Sequence, residues 1–299
     1  MHVLLTGATG RVGGHLARRL AAHGLRVTAV ARRSESFDQP ALPLPEGIEC
    51  VAANLAGNLD ALPSQVDAVV HTAGQSHANN VPAWVSVHDN VIATHNLFNY
   101  AMYAGARCFI FTSSLSVYGD VTVPVVDEAT PCVDPMPYGL SKLLAERLLA
   151  DGADTVPVLA LRLPGVLGTG AYYPWVARVL RQILARETVA IFNPDSPFNN
   201  AVHVEDLGDF IAGILVQPPL TGFDVVTLGA AGTVLVREVP EIMAAAIGFH
   251  SSVRHISALR SSFIVSSERA MTYYGYAPRH TANLLRDFAC ESTALSKGF

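Results

Sequence analysis

The sequence predicts an α/β fold: a doubly wound parallel sheet followed by a smaller, partly irregular C-terminal region. Three observations predict it. Short apolar runs alternate with longer helical stretches through the first 165 residues. Most of those runs are apolar on both faces, as strands covered by helices on each side are. A glycine-rich turn follows the first run and opens the first helical stretch. The chain has 299 residues, half of them hydrophobic and 15% charged. That is ample for a buried core and excludes a disordered or fibrous chain.

The elements follow in order. Val3–Leu5, Arg26–Val30, Ala68–His71, Phe109–Thr112 and Val158–Leu161 read as strands, with helices expected near 12–23, 84–104 and 138–150. This is the strand–helix–strand rhythm of a doubly wound sheet. Beyond residue 165, proline and glycine punctuate 164–174 and 193–197, and helices are expected near 175–186, 206–216, 237–247 and 280–290. The expected division is 1–165 and 166–299, with segments of about 200–228 returning to the first unit.

Charge and composition narrow the function. The net charge is 20 − 25 = −5, a poor match for nucleic-acid phosphate. No apolar run reaches the roughly 18–20 residues that span a bilayer, and the start of the chain lacks the basic and apolar segments of a secretion signal. Cys50, Cys108, Cys132 and Cys290 form no CxxC pair and fit reduced thiols in a cytoplasmic protein. The eleven histidines include no HExxH and no Cys/His ligand set, so no metal is expected. Of the 20 basic residues only Lys142 and Lys297 are lysines. Lysine in mid-chain therefore invites a chemical explanation.

Directly after the first strand comes Thr6-Gly7-Ala8-Thr9-Gly10-Arg11-Val12-Gly13. A glycine-rich turn opening a helix brings backbone N–H groups to a pyrophosphate, so this is the fingerprint of a dinucleotide site of Rossmann type. The first unit is then the nucleotide-binding domain and the second the substrate-binding region. An NAD site usually places an acid at the end of the second strand. Here that place holds Arg32 and Arg33, and two guanidiniums suit a 2′-phosphate. NADP(H) is the favoured cofactor and NAD(H) the alternative.

Tyr138-Gly139-Leu140-Ser141-Lys142 opens a helical run, and residues four apart share a helix face. A cation about 5 Å from the phenol, at an effective dielectric near 20, favours tyrosinate by roughly 3 kcal/mol, about 2 pKa units. The pair is suited to acid–base chemistry, and Lys142 gains its explanation. Thr112, Ser113, Ser114 and Ser116 end the strand before it, and hydroxyls at a strand's C-terminal end can bond a substrate oxygen.

With these motifs in place the chain resembles the extended short-chain dehydrogenases/reductases, the group of NAD(P)-dependent epimerases, dehydratases and reductases. Besides TGATGRVG and YGLSK, the resemblance rests on His71-Thr72-Ala73-Gly74, Asn90-Val91, SSLSVYG, Leu161-Arg162 with Pro164-Gly165-Val166, and Val202-His203-Val204-Glu205-Asp206. It implies Tyr138 as acid/base, Lys142 on the ribose, Ser114 on the reacting oxygen and Asn90 near the site. It further implies cofactor contacts at Gly7, Thr9, Gly10, Arg11, Val12, Gly13, Asn54, Leu55, Thr72, Ala73, Gly74, Thr112, Leu163, Gly165 and Val166. Substrate candidates are Ser76, Ser116, Tyr172, Tyr173, Trp175 and Asn200, with Phe198 as a further part of an aromatic wall. It also implies a homodimer through a four-helix bundle built from 84–104 and 138–150.

Departures from the family pattern bear on the substrate. The Asp-Glu pair of the dehydratases is replaced by Leu115 and Ser116, and the additional cysteine of reductases that also epimerise is absent near Leu115. Sugar-nucleotide members commonly carry Asn where Gly165 aligns, and Arg within the Phe198–Ala201 stretch. The expectation is an NADP(H)-dependent oxidoreductase acting on a ketone or secondary alcohol of a small, sugar-like molecule. Its rivals are a nucleotide-sugar 4-epimerase with tightly held NAD and a non-catalytic NADP-binding regulator.

Overall fold

In the computed structural model, which describes residues 1–38, 40–75, 82–172, 174–216, 220–258 and 260–296, seven parallel strands form one sheet. The strands are β1 (His2–Thr6), β2 (Arg26–Ala31), β3 (Glu49–Ala52), β4 (Ala68–His71), β5 (Cys108–Ser114), β6 (Val158–Leu163) and β7 (Phe223–Thr227). Their order across the sheet is β7-β6-β5-β4-β1-β2-β3. The order reverses between β1 and β4, where Leu4 lies beside Thr28 on one side and Val69 on the other. A ligand crevice opens at such a reversal, beyond the C-terminal strand ends.

Helices α1 (Arg11–Ala22) and α5 (Val204–Val216) cover one face, and α2 (Ala83–Tyr103) and α3 (Pro137–Gly152) the other. The alternation of β1 decides which residue meets which layer. Val3 and Leu5 pack with Leu16, Leu20, Leu207 and Ile211, whereas Leu4 packs with Leu97, Phe98 and Leu149. Helix α1 buries Gly13, Leu16, Ala17 and Leu20, the i, i+3, i+4, i+7 stripe of a helix lying on a sheet. Each buried leucine there contributes about 1.5–3 kcal/mol.

A third core joins α4 (Trp175–Leu184), α6 (Glu238–Ala246) and α8 (Thr281–Ser296) through Val179, Ile183, Met243, Leu284 and Phe288. The short helix α7 (Glu268–Tyr274) lies against β7. Two parallel pairs frame this part, Gly165–Leu167 with Ala201–His203 and Thr188–Phe192 with Ser252–Ile256. Strands β3 and β7 were not among the expected strands, and α7 was not among the expected helices. In β3 three of four residues are exposed, so this edge lacks the two-sided apolar run that marked the inner strands. Among the described residues no helix is long and apolar enough to cross a membrane.

Candidate active site

The turn after β1 is shaped by close approach. Gly7 has φ +72°, and a Cβ there would lie 2.8 Å from both the Ala73 nitrogen and Thr72 Oγ1. At Gly13 a Cβ would come within 2.1 Å of the Gly7 carbonyl oxygen, so only glycine lets α1 press against the loop. Gly10 precedes α1; no side chain caps the helix, and no acid occupies its first turn. The first N–H groups and the positive end of the helix dipole therefore suit an anion.

Two spaces meet at Gly7, Gly10 and Thr72. The larger, about 640 Å³, carries Arg11, Val12 and Gly13 on one wall and Ser114, Ser116 and Tyr138 on another; Leu163, Gly165, Val166, Tyr172 and Asn200 complete it. The smaller, about 250 Å³, takes in Thr9, Arg32, Asn54, Leu55, Ala73, Gly74 and Asn90. A long cleft with a glycine cradle at its waist fits the length of a dinucleotide.

Pro137 starts α3 at a position where its missing N–H is harmless. Tyr138 and Lys142 follow one turn apart. Lys142 is 4% exposed, and its Nζ donates to the Thr112 carbonyl at 2.8 Å. The ammonium sits 4.6 Å from the centre of the Phe111 ring and 6.0 Å from that of Tyr138. Burial pulls Lys142 down to about 8, against the opposing pull of Glu146 one turn on. Burial also pushes the Tyr138 phenol up. That corrects the direction expected from spacing alone: desolvation of the phenolate outweighs an ammonium that far from the ring.

Ser114 faces the cavity, and its Oγ accepts from the Ser116 backbone N–H at 3.1 Å. The neighbouring Ser113 points the other way, as strand alternation requires, and donates to Glu146 Oε1 at 2.5 Å. Arg162 grips that carboxylate through Nε at 3.1 Å and Nη2 at 2.8 Å, and donates from Nη1 to the Tyr118 hydroxyl at 3.0 Å. This buried pair locks β5, β6 and α3 together directly beneath the serine. Asn90 acts similarly: Oδ1 accepts from Gln75 N at 2.8 Å, and Nδ2 donates to Gln75 O at 3.0 Å and Ser141 Oγ at 3.1 Å. It ties the loop after β4 to α2 and α3.

Several expected site residues fall elsewhere. Arg33 is exposed and outside the cleft walls, Thr112 is buried beneath them, and Trp175 packs edge-on against the buried Phe198 at 5.5 Å. Trp175 and Phe198 thus belong to core packing, not to a substrate wall. Ser76 and Tyr173 lie outside the described residues. Asn199 accepts from Val265 N at 2.8 Å and donates to Val265 O at 2.8 Å, so it is engaged in backbone pairing. Sequence reasoning missed Gln75 and Asp89, which line the smaller space, and Leu167, Gly168 and Thr169, which line the larger. No motif marks them. The expectation of no ligand set meets, among the described residues, one grouping, His203, Glu205 and Glu291, with ligand atoms within 4.8 Å of one another. There Arg279 Nη2 already lies 3.1 Å from Glu205, so a guanidinium supplies the positive charge.

The family model described as "NAD dependent epimerase/dehydratase family" matches residues 3–223. The chain belongs to this NAD-dependent epimerase/dehydratase family. The resemblance to extended short-chain dehydrogenases/reductases is thereby borne out. Among relatives of this family member, UDP-arabinose 4-epimerase 1 of Arabidopsis thaliana is 29% identical over 182 residues, 56% of this chain and 43% of that protein. The chain thus matches less than half the length of that relative. UDP-glucose 4-epimerase of Azospirillum brasilense is 30% identical over 233 residues, 69% of this chain and 66% of that protein. The solved structure of MoeE5 in complex with UDP-glucuronic acid and NAD is 27% identical, with a TM-score of 0.79 over 100% of this chain and 99% of that one.

Proposed function

We propose that this family member is a nucleotide-sugar 4-epimerase that works with NAD. The observation that carries the reading is the continuity of the cleft: the cavity that the glycine loop opens into also holds Tyr138, Ser114 and Asn200. Asn200 Oδ1 is buried without a hydrogen-bond partner among the described residues, which suits a wall awaiting a substrate donor. The reading is further supported by the relatives, whose names give 4-epimerisation of UDP-sugars.

Gly7, Gly10, Gly13 and the start of α1 would hold the pyrophosphate. Asn54 and Leu55 would hold the adenosine end, Lys142 the ribose, and Leu163, Gly165 and Val166 the nicotinamide side. When bound, NAD supplies the hydride acceptor and donor for the carbon being inverted. Tyr138 takes the proton of the C4 hydroxyl and returns it, Ser114 Oγ hydrogen-bonds the same oxygen, and the Lys142 ammonium offsets part of the cost that burial places on the tyrosinate. The preference for NADP(H) expected from Arg32 and Arg33 finds no support in the relatives, and Arg33 stands outside the cleft.

Gly165 and Asn199 favour a second reading, an oxidoreductase whose smaller substrate has no diphosphate to grip. One experiment separates the two. The protein is incubated with UDP-glucose, UDP-galactose and UDP-arabinose, products are resolved by chromatography, and nucleotide absorbance is followed at 340 nm. The epimer should appear without net change in NADH, and Tyr138→Phe should slow it by about a hundredfold or more while retaining the nucleotide. Stoichiometric consumption or release of reduced nucleotide without an epimer would establish the oxidoreductase instead. Assembly as a homodimer belongs to the same proposal. Leu140, Leu144 and Leu148 form an exposed i, i+4, i+8 ridge on α3, suited to a four-helix bundle with α2 and its partner copies.

A further inference from the structure

Arg32 stands where a 2′-phosphate would be read, yet it does not stand alone. Its Nη2 lies 3.7 Å from Asp89 Oδ2, a carboxylate brought in by α2 from the far side of the pocket. Gln75 lies between the two charges: with its amide turned so that Oε1 faces the guanidinium it accepts from Nη1 at 3.0 Å and Nη2 at 2.8 Å, and turned the other way its Nε2 donates to Asp89 Oδ2 at 3.3 Å. Gln75 is itself fixed, because its backbone N–H and carbonyl are both bound by Asn90. Among the described residues, Arg32 and Asp89 are the charged side chains that line the smaller space, and their charges balance.

We propose that Asp89 is the residue that sets this protein's cofactor choice, turning an arginine placed for NADP into part of an NAD site. The proposal deepens the reading above and rests on its assignment of the cleft to a nicotinamide dinucleotide. A 2′-phosphate carries about −1.5 to −2 charges. To reach Arg32 it must displace Asp89 or sit beside a like charge, and both are unfavourable in a half-enclosed pocket. A 2′-hydroxyl meets neither obstacle, and a carboxylate is the acceptor such a hydroxyl needs. NAD sites usually obtain that acid from the end of the second strand. Here the position is Arg32, and the acid arrives from α2 one residue before Asn90. No spacing in the sequence links residues 32 and 89, and only the fold brings them together.

The test is titration of nucleotide-stripped full-length protein with NADH and with NADPH, followed by nucleotide fluorescence. Wild type should bind NADH more tightly. Asp89→Asn should shift the affinity ratio towards NADPH by about tenfold or more, and adding Arg32→Ala should take that gain away. Arg32→Ala alone should move the wild-type ratio by less than about threefold, because its guanidinium is already matched. That measurement stands even where Asp89→Asn folds poorly. A wild type that prefers NADPH, or an Asp89→Asn ratio within about twofold of wild type, overturns the proposal. A ratio that moves as expected in a protein that produces no epimer overturns only the epimerase reading. Binding of neither nucleotide overturns both.

Discussion

Lys142→Met tests whether the active site is held at a cost to the fold. The ammonium is 4% exposed, makes a 2.8 Å bond to the Thr112 carbonyl and has its pKa pulled from 10.5 down to about 8 by burial. A depression of that size is worth roughly 3 kcal/mol. Methionine removes that penalty but leaves the Thr112 carbonyl without its donor, a loss of about 1 kcal/mol. The variant should therefore be about 2 kcal/mol more stable than wild type in urea unfolding at pH 7, and inactive. The pH dependence gives the sign. A lysine depressed in the folded state binds fewer protons there than in the unfolded chain between about pH 8 and 10.5, so wild type gains stability as pH rises through that window. By pH 9.5 roughly 2 kcal/mol of the penalty is relieved, and the advantage of the variant should be nearly gone. Equal gaps between the two proteins at pH 7 and pH 9.5, or a variant less stable than wild type at pH 7, would refute the reasoning.

Three further outcomes follow from the geometry. Gly13→Ala places a methyl group 2.1 Å from the Gly7 carbonyl oxygen and should lower stability by about 1–3 kcal/mol, with loss of NADH binding in fluorescence titration. Glu146→Ala leaves the Arg162 guanidinium buried with the Tyr118 hydroxyl and should cost about 3–5 kcal/mol in urea melts, whereas Glu146→Leu combined with Arg162→Met should cost far less. Leu144→Glu puts a charge in the middle of the α3 ridge and should yield monomers in light scattering; an unchanged mass would remove α3 from any dimer.

The first half of the fold was legible because its strands are apolar on both faces and its helices carry a clear buried stripe. Val3 to Leu5 and Leu16 to Leu20 are examples that local pattern alone identifies. The exposed edge β3 offers no such pattern, and β7 joins the sheet beside β6 across a long stretch of chain. In the site, Tyr138 and Lys142 were readable because one helix turn fixes their relation. Arg32 was readable from its place after the second strand, but Asp89 and Gln75 were not, since separate elements deliver them to it. Trp175 and Phe198 looked like ligand-facing aromatics, but their edge-on pairing inside the third core shows that aromatic content alone does not locate a wall. Lys142 also shows a limit of spacing: it identified the partner of Tyr138, but burial reversed the expected pKa direction.

The bare start of α1 has a consequence for the lifetime of the protein. With neither a capping side chain nor a first-turn acid, the helix lacks about 0.5–2 kcal/mol that a good cap would contribute. A pyrophosphate bound there, as proposed above, would make up that deficit and link nucleotide occupancy to folding stability. At a nucleotide concentration a hundred times its dissociation constant, the linkage is worth about 2.7 kcal/mol. Loss of nucleotide would then leave a chain that opens more often and is exposed to proteases, so its abundance would follow the supply of the molecule that it uses.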